Sequence, residues 1–93
     1  MQDYGLVSVI TPSYNCARFI GATIESVQAQ TYPNWELIIV DDCSTDHSRE
    51  VIEKYIGEDP RIKLVVLERN SGAAVARTKA MQLAQGRYMA FFD

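Results

Sequence analysis

Leu37-Ile38-Ile39-Val40-Asp41-Asp42-Cys43-Ser44-Thr45-Asp46 decides the fold of this 93-residue chain. Four consecutive apolar residues stop at two adjacent carboxylates, and residues suited to begin a helix follow. An apolar run of that length, rich in β-branched side chains, reads as a strand buried on both faces. Such strands belong to parallel sheets covered by helices, where ligands bind outside the carboxyl ends of the strands. Adjacent residues at a strand end point to opposite faces. Asp41 and Asp42 are therefore expected to do different work.

Working outward, strand and helix patterns alternate. Leu6 to Thr11 reads as a first strand, closed by Pro12, Ser13 and Asn15. From Ala17 to Gln30, Ile20, Ile24 and Val27 share one helical face. Tyr32-Pro33-Asn34 is a turn, and the second strand runs from Glu36 to Val40. Ser44, Thr45 and Asp46 suit the N-cap of a helix from about Asp46 to Ile56 that buries Ile52, Tyr55 and Ile56, with Gly57 and Pro60 marking its exit. Ile62 to Leu67 is a third strand. Asn70-Ser71-Gly72 turns into an Ala-rich helix that ends near Gln85, with Gly86 as its stop. Ala73, Ala76, Ala80 and Ala84 form its sheet-facing stripe. Arg87 to Phe92 is a fourth strand. The order β-α-β-α-β-α-β predicts an α/β fold: three layers, α/β/α, around a mostly parallel sheet. Right-handed crossovers favour the strand order 3-2-1-4, with a switch point between strands 1 and 4.

Size and composition narrow the function. A chain of 93 residues is one domain at most, and 47% hydrophobic with 23% charged residues is ordinary for a globular one. A net charge of −3 gives no footprint for nucleic acid. No apolar run approaches the roughly 20 residues that span a bilayer, and no basic segment leads into an apolar one as in a signal peptide. Two cysteines, Cys16 and Cys43, are too few for a disulfide scaffold or zinc site and read as free thiols in a reducing compartment.

The candidate chemistry gathers at the strand ends. In Thr11-Pro12-Ser13-Tyr14-Asn15, Tyr14 can stack on a base, a contact worth about 1–3 kcal/mol, or can pack on the following helix. Asp42 can face the cleft and accept hydrogen bonds from a base or ribose, while Asp41 satisfies backbone donors in the Cys43–Asp46 turn. Alternatively both acids hold a cation, or both only form the turn. Asp46 reads as a cap. Arg77, one turn into the Ala-rich helix, can reach a phosphate or carboxylate or lie solvated, as Lys79 does. Asn70 to Ala74 matches no phosphate-cradling glycine loop. His47 reads as an exposed first-turn residue and Trp35 as a packing anchor. No Ser/His/Asp or Cys/His constellation is present.

Taken in order, these stretches resemble the N-terminal half of the family 2 glycosyltransferases, inverting enzymes of the GT-A fold. Val7 to Asn15 is similar to the family's first strand and nucleotide loop, Ile24 to Tyr32 to its first helix and turn, and Glu36 to Asp46 to its double-acid strand. Asn70-Ser71-Gly72 with Ala76-Arg77 is similar to its third-helix signature. Gly86-Arg87-Tyr88 with Phe91-Phe92-Asp93 is similar to the approach to the metal-binding Asp-x-Asp motif. The resemblance implies a nucleotide-diphospho-sugar donor, commonly a UDP-sugar, and a glycan or lipid-linked acceptor. It implies nucleotide contacts from Thr11, Pro12, Tyr14, Asp42 and Arg77, structural support from Asp41, and Mg²⁺ or Mn²⁺ on Asp93 as the first acid of the motif. One departure is Thr78-Lys79-Ala80, where the family usually has Asn directly after the arginine. Residues 1–93 are then expected to be the donor-binding part of a longer domain, cut at the motif. The piece is expected to lack transferase activity, because the catalytic base would lie beyond residue 93, and to self-associate through exposed apolar surface. The expected location is cytoplasmic, with the cytoplasmic face of a membrane open to the full-length protein. Two rivals remain: a phosphoacceptor receiver domain, whose opening strand also ends in an acid pair, and a non-catalytic nucleotide-binding module.

Overall fold

The structure, a computed structural model, describes residues 5–92. Seven elements follow in the order β1 (Val7–Ser13), α1 (Ile20–Gln28), β2 (Trp35–Asp41), α2 (Ser48–Glu58), β3 (Ile62–Val66), α3 (Ala73–Leu83) and β4 (Tyr88–Phe91). The strands form one parallel sheet in the order β3-β2-β1-β4. The alternating reading therefore gave the right architecture and strand order.

Side-chain alternation along β2 builds two cores. Leu37 and Ile39 face α1 and α2 and meet Ile20, Ile24, Val27 and Ile52. Ile38 and Val40 face α3 and meet Ile10, Ala76 and Ala80. The second core is thin because α3 presents only small residues, which lets the helix lie close to the sheet. Of the four-alanine stripe, Ala76 and Ala80 are buried, Ala84 is half-buried, and Ala73 is exposed at the helix start.

Several boundaries move for identifiable reasons. β1 does not stop at Thr11 but runs through Pro12 to Ser13, paired with β2 over its whole length. Ile10 accepts a bond from the β4 side, at the Phe92 N–H, and Ser13 one from the β2 side, at the Asp42 N–H. By alternation, the missing N–H of Pro12 faces the β4 side beyond the end of that strand's pairing, so no ladder bond is lost. α1 starts only at Ile20, and α2 starts at Ser48 and continues through Gly57 to Glu58. α3 stops at Leu83, before Gly86. Gly86 is not a left-handed helix stop, since only Gly5 and Gly72 among the described glycines have positive φ. Its constraint is space: a Cβ there would sit 2.5 Å from Ser8 Oγ, 2.7 Å from Ser8 N and 2.8 Å from Leu6 O.

A buried polar knot ties down the amino ends of the strands. Glu36 accepts from Ser8 Oγ at 2.6 Å, Lys63 Nζ at 2.6 Å and the Gln85 N–H at 2.7 Å, while the Gly86 N–H donates to Ser8 Oγ at 2.8 Å. Burial raises the Glu36 carboxyl's pKa, but the hydrogen bonds from Lys63, Ser8 and Gln85 outweigh it and hold the carboxyl below its ordinary range. Beside this knot, Arg61 stacks 3.7 Å over the Trp35 ring and pairs with Asp59.

Candidate functional site

The acid pair ends β2 with Asp41 wholly buried and Asp42 4% exposed. Alternation continues through them. Asp41 lies toward α1 and α2, where its carboxylate accepts from Ser13 Oγ at 3.1 Å, Ser44 Oγ at 2.5 Å and the Ser44 N–H at 2.9 Å. Asp42 lies toward α3, where its two oxygens accept the N–H groups of Ser71 at 2.6 Å and Gly72 at 2.8 Å. Asn70 Nδ2 adds a bond to the Asp42 carbonyl. Gly72 takes φ +95° at the N-cap of α3, a conformation glycine adopts without strain.

Each acid therefore holds a different wall of one cleft. Asp42 fixes the start of α3. Asp41 fixes the turn after β2 through Ser44, and that turn is bonded to the β1–α1 loop. The Asn15 N–H donates to Ser44 Oγ, the Cys16 N–H to Ser48 Oγ and the Ala17 N–H to Asp46 Oδ2. In the other direction, Asn15 Oδ1 accepts from the N–H groups of Thr45 at 2.8 Å and Asp46 at 3.3 Å. Asp46 also accepts both the N–H and the hydroxyl of Ser48, but it is not the expected cap: the N-cap of α2 is His47, which makes no side-chain capping bond, and Asp46 lies one residue before it. The Ser48 hydroxyl bond, helped by the Ser48 and Ala17 N–H groups, holds the Asp46 carboxyl below its ordinary pKa against a smaller effect of burial.

Between these walls, Pro12, Ser13, Tyr14, Asp42 and Ala73 line a cleft of about 140 Å³ at the carboxyl end of the sheet. Whole-ligand sites run to roughly 300–1,000 Å³, so this cleft matches one ring rather than a complete nucleotide sugar. Tyr14 is half exposed and presents its ring to solvent at the rim. A larger groove of about 430 Å³ runs along the β1–β4 side, lined by Val7, Val9, Tyr32, Trp35, Phe91 and Phe92. Its lining is mostly apolar and brings no carboxylate, imidazole or thiol together.

The structure thus brings Pro12, Tyr14 and Asp42 together, with Asp41 directly behind them. Thr11 does not line the cleft: it is buried, and its hydroxyl donates to the Phe92 carbonyl at 2.7 Å, tying β1 to the end of β4. Arg77 does not line it either. It sits four residues, about 6 Å along the helix, beyond the cleft residue Ala73. Asp93 lies outside the described residues. Among the described residues, no three His, Cys, Asp or Glu side chains gather to hold a metal. The carboxylates of Asp41 and Asp42 accept from hydroxyl and N–H groups on opposite sides of the sheet, an arrangement that suits structural support better than a shared cation. Cys16 and Cys43 carry free thiols, and His47 is exposed at the start of α2. No described helix is long and apolar enough to cross a membrane.

Sequence reasoning missed Asn15, Ser44 and Glu36. Asn15 had a readable signal, since asparagine beside a proline-bearing loop tolerates the left-handed conformation it adopts here, φ 48°. Glu36 had another, an acid at the head of the apolar run Leu37 to Val40.

The model of the glycosyl transferase family 2 matches residues 8–93. A putative teichuronic acid biosynthesis glycosyltransferase, TuaG of Bacillus subtilis, is 60% identical over 95% of this chain and 35% of its own length. The Escherichia coli protein WfgD, a UDP-Glc:α-D-GlcNAc-diphosphoundecaprenol β-1,3-glucosyltransferase, is 50% identical over the whole chain and 36% of its own length. The chain thus spans about a third of the length of these curated relatives. Among solved structures, the mannosyltransferase PcManGT from Pyrobaculum calidifontis, in complex with GDP-Man and Mn²⁺, superposes with a TM-score of 0.87 at 28% identity, over 95% of this chain and 27% of that one. S. aureus TarS 1-349 in complex with UDP-GlcNAc gives 0.86 at 36% identity, over 91% of this chain and 25% of that one. The family match takes in the β1–α1 unit that precedes the acids, which a receiver domain would lack.

Proposed function

Because the chain belongs to glycosyl transferase family 2, we propose that it is the donor-reading part of an enzyme that moves a sugar from a nucleotide-diphospho-sugar to a glycan or lipid-linked acceptor, with inversion. The observation that carries the reading is the cleft in which Pro12, Tyr14 and Asp42 converge at the carboxyl end of a parallel sheet. One aromatic ring and one carboxylate are the two contacts a nucleobase needs. The Tyr14 ring stacks on the base, and Asp42 accepts its ring N–H through the lone pairs that Ser71 and Gly72 leave free. Uracil and guanine both offer such a donor, and relatives named above act on or hold UDP- and GDP-sugars. Asp41 supports the turn, and Thr11 secures the neighbouring end of β4. A divalent cation, Mg²⁺ or Mn²⁺, would neutralise the diphosphate when bound, with Asp93 as its proposed ligand. No described residue is assigned as catalytic base. Residues 1–93 alone are therefore expected to bind nucleotide weakly and to transfer no sugar. The proposed location is cytoplasmic.

Calorimetry of the 93-residue chain with UDP and GDP, with and without Mn²⁺, tests the reading. Saturable binding supports it. Absence of binding to either nucleotide, or covalent labelling by acetyl phosphate, would overturn it, and sugar transfer by this chain would refute the expected inactivity.

A further inference from the structure

We propose that Asn15 is a positioning residue for base stacking: its left-handed backbone and its side-chain clamp on the Thr45 and Asp46 N–H groups hold the Tyr14 ring at the rim of the cleft opposite Ala73. The inference rests on the nucleotide-binding reading above and adds a residue that does not itself line the cleft.

Tyr14 is half exposed, so its position depends largely on the backbone that carries it. That backbone leaves β1 at Ser13 and turns sharply at Asn15, where φ is 48°. A non-glycine residue holds such a conformation when its surroundings enforce it. Here they do so from both sides. The Asn15 N–H is bound to Ser44 Oγ at 2.9 Å, and Ser44 is in turn bound to the buried Asp41 carboxylate. The Asn15 side-chain oxygen faces two backbone N–H groups and the Thr45 hydroxyl in the turn before α2. Asn15 thus satisfies donors that the turn would otherwise leave to water, and in exchange its own position is set by β2. The path from Asp41 through Ser44 and Asn15 to Tyr14 fixes one wall of the cleft, as Asp42 fixes the other through Ser71 and Gly72. A base inserted between them then meets a ring already in place, and little ordering entropy is lost on binding.

The test is nucleotide titration of the 93-residue chain carrying Asn15→Gly, Asn15→Asp, Tyr14→Ala, or Asn15→Gly with Tyr14→Ala. Glycine keeps the positive φ and removes the clamp; aspartate keeps an acceptor and tolerates the same backbone. Asn15→Gly should weaken UDP binding by about fivefold to tenfold, close to the effect of Tyr14→Ala, while Asn15→Asp stays within about twofold of the parent. The double variant should bind no worse than Tyr14→Ala alone, because the clamp acts through that ring. Amide exchange at Thr45 and Asp46 should quicken in Asn15→Gly and not in Asn15→Asp. If the parent binds UDP and Asn15→Gly binds equally well, or the two losses simply add, the positioning role is wrong and the nucleotide reading stands. If the parent binds no nucleotide, the nucleotide reading fails first and this inference falls with it.

Discussion

Replacing Asp42 with Asn separates its two jobs. The carboxylate accepts the Ser71 and Gly72 N–H groups at 2.6 Å and 2.8 Å in a nearly water-free position. Hydrogen bonds to a charged acceptor contribute about 1.5–3 kcal/mol each to stability. Asn keeps one carbonyl oxygen and turns an NH₂ group toward the other N–H, so one bond is lost and one backbone donor is left facing a donor. The expected loss is about 2 kcal/mol, out of the roughly 5–15 kcal/mol available to a domain of this size. With a urea dependence of about 1 kcal/mol per molar, the low end for small proteins, the unfolding midpoint should fall by about 2 M at unchanged slope. Urea denaturation followed by Trp35 fluorescence reads it directly. A midpoint within about 0.3 M of the parent would refute the claim that Asp42 holds the start of α3 and leave it only a ligand contact.

Three other outcomes follow from contacts elsewhere. Gly86→Ala should destabilise by about 3 kcal/mol, the upper range for overpacking, because two of the three atoms its Cβ would meet are backbone; an unchanged melting temperature would show that the Leu6–Ser8 segment yields easily. The Arg61 guanidinium, with help from the Arg61 N–H and Gln28, outweighs burial and holds the Asp59 carboxyl at about 2, below its ordinary 3.8. The unfolded chain therefore takes up that proton first, so about 1 kcal/mol of stability, allowing for screening, should be lost as pH falls from about 4 to 2; Asp59→Asn should flatten that part of a stability-versus-pH curve, and an unaltered curve would contradict the pairing. β4 is an edge strand with Tyr88, Met89 and Phe91 each about half exposed, so the chain should self-associate through it. Sedimentation velocity should show size rising with concentration and reverting to monomer in Phe91→Lys, whereas monomer at every concentration would count against it.

The sheet was legible because its central strand leaves little choice. Leu37 to Val40 is too short for a helix and too apolar for an edge, and the flanking periodicities named Ile20, Ile24, Val27 and Ile52 as core. Period-two alternation was enough to separate the two acids onto different faces. What each acid holds was not legible, because Ser71 and Gly72 lie about thirty residues from Asp42 and the bonds are to backbone groups that any residue type supplies. The same holds for Gly86. A glycine after a helix reads as a stop, and only the three-dimensional approach of Ser8 and Leu6 shows that space, not backbone φ, demands it. Pro12 misled for a related reason: a proline ends a strand only when the neighbour its N–H would face needs that donor, and β4 ends too soon to need it. Arg77 sat at a plausible helical spacing, but the cleft closes at the first residue of α3, one turn before it.

The central claim is that the cleft between Tyr14 and Ala73, with Asp42 on its inner wall, receives a nucleobase. Titrating ¹⁵N-labelled protein with UDP in the presence of Mg²⁺ tests it residue by residue. The account predicts saturable amide shifts confined to Ser13 and Tyr14, Asp42 to Thr45, and Ser71 to Ala73. Shifts centred instead on Val7, Trp35 and Phe91 in the larger groove, or no shifts at millimolar UDP, would contradict it.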